Sequence, residues 1–249
     1  MKRTSLFLVL VSLCLRPNIS AQKSALQTGS ISPAKILEGN LAATGGLDAH
    51  KALSTFKATG NFGFSLLHPL GDYTFLYKAP ATDVLEVQMI SHGTSWTGRR
   101  EDHLIRRDTF GGAGMINGAG MEIVEQCLVS LLEWEIRDYK KVELIGRAQV
   151  DNRWTYAVRF TPKQGDPQVR YYDMDNFLLL RMDQVQRFRQ AKNLPETAYA
   201  VVTYLRDYRQ FGPLKLPQQI AVSRQLGDLT FELTSVKTGV EISDLEFRD

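Results

Sequence analysis

The residues best suited to chemistry are sparse in this chain. It has four histidines, His50, His68, His92 and His103, and two cysteines, Cys14 and Cys127. No two histidines stand at the spacing of a metal-ligand pair. His68 and His92 adjoin Pro69 and Gly93, and all four read as surface or turn residues. Asp102 and His103 are neighbours, but neighbours on a strand point to opposite faces, so they cannot form a catalytic pair directly. Gly93-Thr-Ser95-Trp-Thr-Gly98 approximates a nucleophile elbow, yet it is one residue too long and no helix follows. Glu133 and Glu135 are two apart on an expected helix and diverge. Cys127 lies in an apolar run, CLVSLL, and reads as a buried thiol acting as a small hydrophobe. The glycine-rich loop 111–120 (GGAGMINGAG) matches neither a dinucleotide nor a phosphate-binding loop. It reads equally as a lid over an opening or as a plain connector. Arg99-Arg100 and Arg106-Arg107 are offset by Glu101, Asp102 and Asp108, the mixture of a solvated face. These residues give no catalytic set, no metal site and no cofactor, and the expectation is a protein that is not an enzyme.

What remains is a supply of large apolar side chains at alternating positions. Phe62, Phe64, Phe75, Tyr77 and Trp96 fall on expected strands, and Leu128 on the expected helix. They either fill a core or line a cavity for an acyl chain; the sequence leaves both open.

Short period-2 runs dominate from Lys57 onward. Tyr73, Phe75 and Tyr77 share a face, as do Leu85, Val87 and Met89. Thr94–Arg107 is expected to form two edge strands. In Arg153–Thr161, Trp154, Tyr156, Val158 and Phe160 share one face and Thr155, Arg159 and Thr161 the other. Asp151-Asn152, Asp175-Asn176 and Gly212-Pro213 supply turn chemistry between the runs. About eleven strands are expected, at the spacing of an antiparallel meander. Two helical segments come first. Ser32-Pro33 reads as an N-cap with proline at the first helical position, and Gly45-Gly46 ends the segment. Asp48–Leu53 forms a second short helix. Glu122–Tyr139 is the best later helix, with Val124, Leu128, Leu131, Leu132 and Glu135 near one stripe.

A sheet of so many strands must curl, and something must cover its concave face. The helices are the available plugs. The expected class is α+β: a curved antiparallel sheet, an incomplete β-barrel, wrapped over a few helices. The alternative is a two-sheet sandwich with the helices outside.

The first residues read as an export signal. Lys2 and Arg3 precede an apolar core of 11 residues, Ser5–Leu15, and small residues end it at Ser20-Ala21. A spanning helix needs roughly 20 residues, so residues 1–21 are expected to be a cleaved signal peptide. Cys14 inside the apolar core follows Leu13, which does not suit lipidation. Residues 22–32 read as a flexible leader and 33–249 as one domain. The whole chain has 30 basic and 27 acidic residues; removing Lys2, Arg3 and Arg16 leaves 27 of each. A neutral mature chain gives no electrostatic reason to bind nucleic acid or an anionic membrane. With Cys127 as the remaining cysteine, no intrachain disulfide is expected.

Several segments resemble the outer-membrane lipoprotein-sorting carriers of Gram-negative envelopes. Leu41–Leu53 with Lys57-Ala-Thr59-Gly60 resembles that family's opening helix and first strand. Tyr77-Lys78-Ala-Pro80 followed by Gly93-Thr-Ser-Trp96 is similar to its second strand and Gly-x-x-Trp hairpin. Tyr171–Arg181 resembles its Asp, turn, Leu-Leu-Arg hairpin. Asp207–Pro217 resembles its late Asp-Tyr, Gly, Lys-Leu-Pro strand pair. The Gly93 hairpin departs from the dedicated carrier in lacking a preceding Asp, and Asn176-Phe177 replaces a glycine-containing turn. The resemblance implies a half-barrel, monomeric and periplasmic, that binds the acyl chain of a lipid or lipoprotein. Envelope donor and acceptor proteins would be its further partners. The ligand would be lined by Phe62, Phe64, Phe75, Tyr77, Trp96 and Leu128. The competing expectation is a non-catalytic interaction or sensor module with a filled core.

Overall fold

A computed structural model describes residues 31–64, 70–79, 82–89, 93–100, 103–108, 124, 127–132, 139–163, 165–188, 196–223 and 228–247. At Phe64, Trp96 and some other strand positions it describes the backbone alone. The export signal, the leader as far as residue 30 and the 111–120 loop lie outside the described residues.

Ser32 opens the first helix, α1 (Pro33–Ala43), where its hydroxyl accepts from the Lys35 N–H at 3.3 Å and Pro33 begins the helical backbone. The second helix, α2, spans Gly46–Lys51, starting earlier and ending earlier than expected. Residues 127–132 form a third helical stretch, α3, and Val124 is helical one turn before it. The helix does not reach Tyr139, which starts a strand.

The strands are β1 (Thr55–Phe64), β2 (Gly71–Lys78), β3 (Thr82–Met89), β4 (Gly93–Arg100), β5 (His103–Asp108), β6 (Tyr139–Val150), β7 (Arg153–Pro162), β8 (Gln168–Asp173), β9 (Leu179–Phe188), β10 (Thr197–Phe211), β11 (Leu214–Ser223) and β12 (Leu229–Thr238). They form one 12-stranded sheet in the order β5-β4-β3-β2-β1-β12-β11-β10-β9-β8-β7-β6. Its paired neighbours are antiparallel, and β5 and β6 are its outer strands. It is thus two meanders, β1–β5 and β6–β12, joined where the first strand pairs with the last. The fold is the expected incomplete barrel.

Turn chemistry places the hairpins. Asp151 and Asn152 both adopt the left-handed region, φ 48° and 63°, as a two-residue turn between β6 and β7 requires. Gly60 sits at a register shift against β12. A Cβ there would lie 1.9 Å from the Glu232 carbonyl oxygen, so the close approach of the two strands depends on its absence.

α3 falls in sequence between β5 and β6, the two outer strands of the sheet. Val124, Cys127, Leu128, Val129, Leu131 and Leu132 join one buried cluster with Ile36 of α1 and the inward residues of the strands. Outside, Leu76 and Val84 pack with Ile242 and Phe247 of the C-terminal tail.

The C-terminal part of α1 rests on the β8–β9 hairpin. Phe177 has φ 59°, unusual for a side chain of that size. Its ring occupies the space where a Gly39 Cβ would fall, 2.6 Å away, and stacks on Tyr156 at 6.2 Å. Asn40 Nδ2 donates to the Phe177 carbonyl at 2.9 Å. Asp173 Oδ1 accepts from the N–H groups of Asp175 and Asn176 at 2.8 and 3.1 Å, fixing the same turn.

Two outward assignments differ from the sequence reading. Trp154 is 56% exposed although Tyr156, Val158 and Phe160 of its row face inward. It stands at the hairpin end, beyond the reach of the covering helices. Thr155 is fully buried, with its hydroxyl donating to the Ala148 carbonyl at 2.8 Å.

Candidate functional site

The concave face carries two chemically different regions. The first spans β12, β1, β2 and β3. Backbone register sets its rows: Val236–Ala58–Phe75–Leu85–Thr97 is one, and Phe56–Tyr77 belongs to the next. Phe62 stacks on Phe231 at 5.5 Å, Tyr73 meets Phe231 edge-on at 5.4 Å, and Phe56 meets Phe75 edge-on at 6.1 Å. Such aromatic pairs add about 0.5–1.5 kcal/mol each beyond burial. Burial, and then the nearby Glu232 charge, push the Tyr73 phenol above its ordinary value.

Four of the expected lining residues, Phe62, Phe75, Tyr77 and Leu128, are brought together in this buried cluster. Phe64 pairs with Leu229, whose side chain is in the cluster; the Phe64 side chain lies outside the described residues. Trp96 pairs with Glu86, and Glu86 with Thr74. Its position therefore belongs to the row one residue out of step with Phe75, Leu85 and Thr97. Thr97, overlooked in the sequence, takes the inward position.

The second region is polar and was not anticipated. Arg170 of β8 is buried. Its Nη2 donates to the Tyr139 phenol oxygen at 2.7 Å and its Nε to Gln168 Oε1 at 3.2 Å. Its guanidinium lies 4.3 Å over the Phe160 ring, a cation–π contact. Burial pulls the Arg170 pKa down, but interactions with Tyr172 and Tyr139 more than offset it and the net shift is upward. Burial raises the Tyr172 phenol, opposed by Arg170. Tyr208, raised by burial as well, donates to the Leu179 carbonyl at 2.7 Å. Cys127 of α3 completes the surroundings. Burial pushes its thiol up to about 12, with Arg170 acting the other way, which makes it inert as a nucleophile. Alternation offered a signal for this region: Gln168, Arg170 and Tyr172 share a face, opposite Phe160, Val158 and Tyr156.

His50 also departs from expectation. It is buried rather than at the surface. Its Nδ1 stands 3.2 Å from the Leu132 carbonyl and its Nε2 3.1 Å from the Thr44 hydroxyl. A carbonyl only accepts, so Nδ1 carries a proton and donates to Leu132; the Thr44 hydroxyl beside Nε2 itself donates to the Asn40 carbonyl at 2.9 Å. The histidine ties α2 to α3. Among the described residues no group of three or more His, Cys, Asp or Glu could hold a metal ion, and no helix is long and apolar enough to cross a membrane.

No family model and no curated protein matches the sequence. Solved structures do. A LolA superfamily protein from Nitrosomonas europaea is similar with a TM-score of 0.53 at 11% identity, over 88% of this chain and 99% of that one. A DUF1329 family protein from Desulfovibrio piger gives a TM-score of 0.47 at 14% identity, over 86% and 96%. The chain has the half-barrel fold of the LolA superfamily protein. The resemblance to lipoprotein-sorting carriers read from the hairpin motifs stands at the level of fold, and fold alone does not fix function.

Proposed function

We propose that this chain is an exported, periplasmic half-barrel that binds the acyl chain of a lipid or lipoprotein and carries it within the cell envelope. The observation that supports this reading most directly is the concave face itself. It presents aromatic side chains from three adjacent strands, β12, β1 and β2, and the described cover over them is short helices rather than a second sheet. Short helices can separate from a sheet at lower cost than a paired strand can. Each acyl CH₂ taken from water is worth about 0.8 kcal/mol, so a chain can be held there without polar chemistry. No catalytic step forms part of the proposal.

Native mass spectrometry and lipid extraction of protein purified from the periplasm are the test. Bound lipid, or saturable binding of acyl probes, is expected. Protein without lipid that also ignores acyl probes overturns the reading.

A second reading has its own observation. Val124, Leu128, Leu131 and Leu132 are nearly fully buried against the sheet, as in a filled core. On that reading the protein is an envelope interaction or sensor module, and the same experiment returns no lipid.

A further inference from the structure

Arg170 stands in a row that crosses most of the concave face. Register links Val158, Arg170, Met182, Thr203, Val222 and Leu229 on six adjacent strands. Four of the six are apolar. The exceptions are Arg170 and, two strands away, Thr203, which is 1% exposed with no hydrogen-bond partner for its hydroxyl oxygen. Buried side-chain hydroxyls normally find a partner.

The Arg170 cluster is built of donors. A guanidinium has five N–H groups and accepts nothing. Among the described residues Tyr139, Gln168 and Tyr172 are hydrogen-bonded to it, and no carboxylate is. The Tyr139 oxygen already accepts twice, from Arg170 Nη2 at 2.7 Å and Gln168 Nε2 at 2.8 Å. Its own O–H is therefore left to donate. A buried cation without a counter-charge is costly, and a site of spare donors is complementary to an anionic acceptor.

We propose that Arg170, with Tyr139 beside it, binds the carboxylate head of a long-chain fatty acid. The inference rests on the carrier reading and names its ligand class. The N–H groups of Arg170 that Tyr139 and Gln168 leave free face the carboxylate, and the Tyr139 hydroxyl supplies a further donor. The tail runs past Thr203 along Val222 and Leu229 toward Phe231 and Phe62, a path of about five interstrand steps, roughly 24 Å.

The test uses delipidated protein carrying a fluorescent acyl probe, displaced by oleate or by methyl oleate, which share a tail and differ in head charge. Oleate is expected to displace the probe at a concentration at least about tenfold lower than the ester, the scale of a charged hydrogen bond. Arg170→Met should remove that preference, so that acid and ester displace the probe at similar concentrations. Arg170→Lys, which keeps the charge and loses the fork, should retain part of it and serves if the methionine variant does not fold. Equal binding of acid and ester by the unaltered protein overturns the proposal and leaves the carrier reading intact; so does a preference that survives in Arg170→Met. Binding of neither compound overturns both.

Discussion

His50 donates from Nδ1 to the carbonyl of Leu132 at 3.2 Å, a bond between residues 82 positions apart. It fastens α3 to the short helix beside α1. Burial lowers the His50 pKa from 6.5, because a charged ring would lose its water. A histidine with a lowered folded pKa binds fewer protons folded than unfolded at mildly acidic pH. Its contribution is complete above about 6.5 and declines as pH falls through that value toward the folded pKa. Urea unfolding between pH 8 and 5 should show this decline. His50→Phe should remove that part of the slope and cost about 1–3 kcal/mol at pH 8, from the Leu132 carbonyl left without its donor. Identical slopes in the two proteins would refute this role.

Gly60→Ala should destabilise by about 1–3 kcal/mol or more, because the new Cβ meets the Glu232 backbone 1.9 Å away and β1 must part from β12. Gly212→Ala is the comparison. Its φ of 58° also disfavours a side chain, but nothing lies within 4 Å, so strain alone should cost about 1 kcal/mol. Thermal melts of the two variants give the order; equal losses contradict the close-approach argument.

Phe177 sets two effects against each other. Its left-handed backbone costs about 1–2 kcal/mol, whereas half-burying its ring against Gly39 and Tyr156 recovers part of the about 1.5–3 kcal/mol that full burial gives. Phe177→Ala loses the packing and keeps the strain. Phe177→Gly loses the packing and releases the strain. The glycine variant should therefore be the more stable of the two by about 1 kcal/mol in denaturant titration. An alanine variant of equal or greater stability contradicts the strain.

Cys127 should resist modification. Its thiol, on α3, is buried in the core cluster and pushed up to about 12. A disulfide exchange reagent at pH 8 should label native protein far more slowly than unfolded protein. Rapid native labelling would show that α3 lifts readily from the sheet.

Much of the fold was legible because each strand repeats with period 2 and each hairpin has its own turn residues. Asp151-Asn152 and Tyr171–Arg181 lie in hairpins as expected. The later helix was read too far, since Leu131 and Leu132 continue a helical stripe that the sequence alone does not stop before Tyr139. The site was legible only in part. Phe62, Phe75, Tyr77 and Leu128 announce an apolar face. Thr97 shows the limit: alternation gives two faces, and only register against Leu85 says which one a residue joins. His50 and Arg170 are polar residues whose burial comes from α3, a segment far from both in sequence.

The central seam of the sheet joins residues at opposite ends of the domain: Phe56 pairs with Thr238, Phe62 with Phe231. Within each meander every strand pairs with its immediate successor. Two meanders can therefore assemble from local contacts while the seam waits for the last strand. Until β12 arrives, β1 and β11 present open edges to any neighbour. Pairing β1 with β12 closes the longest loop in the sheet, the kind of non-local contact that slows folding. The vulnerable species is a half-assembled chain with its aromatic face uncovered, and β12 is the strand that retires it.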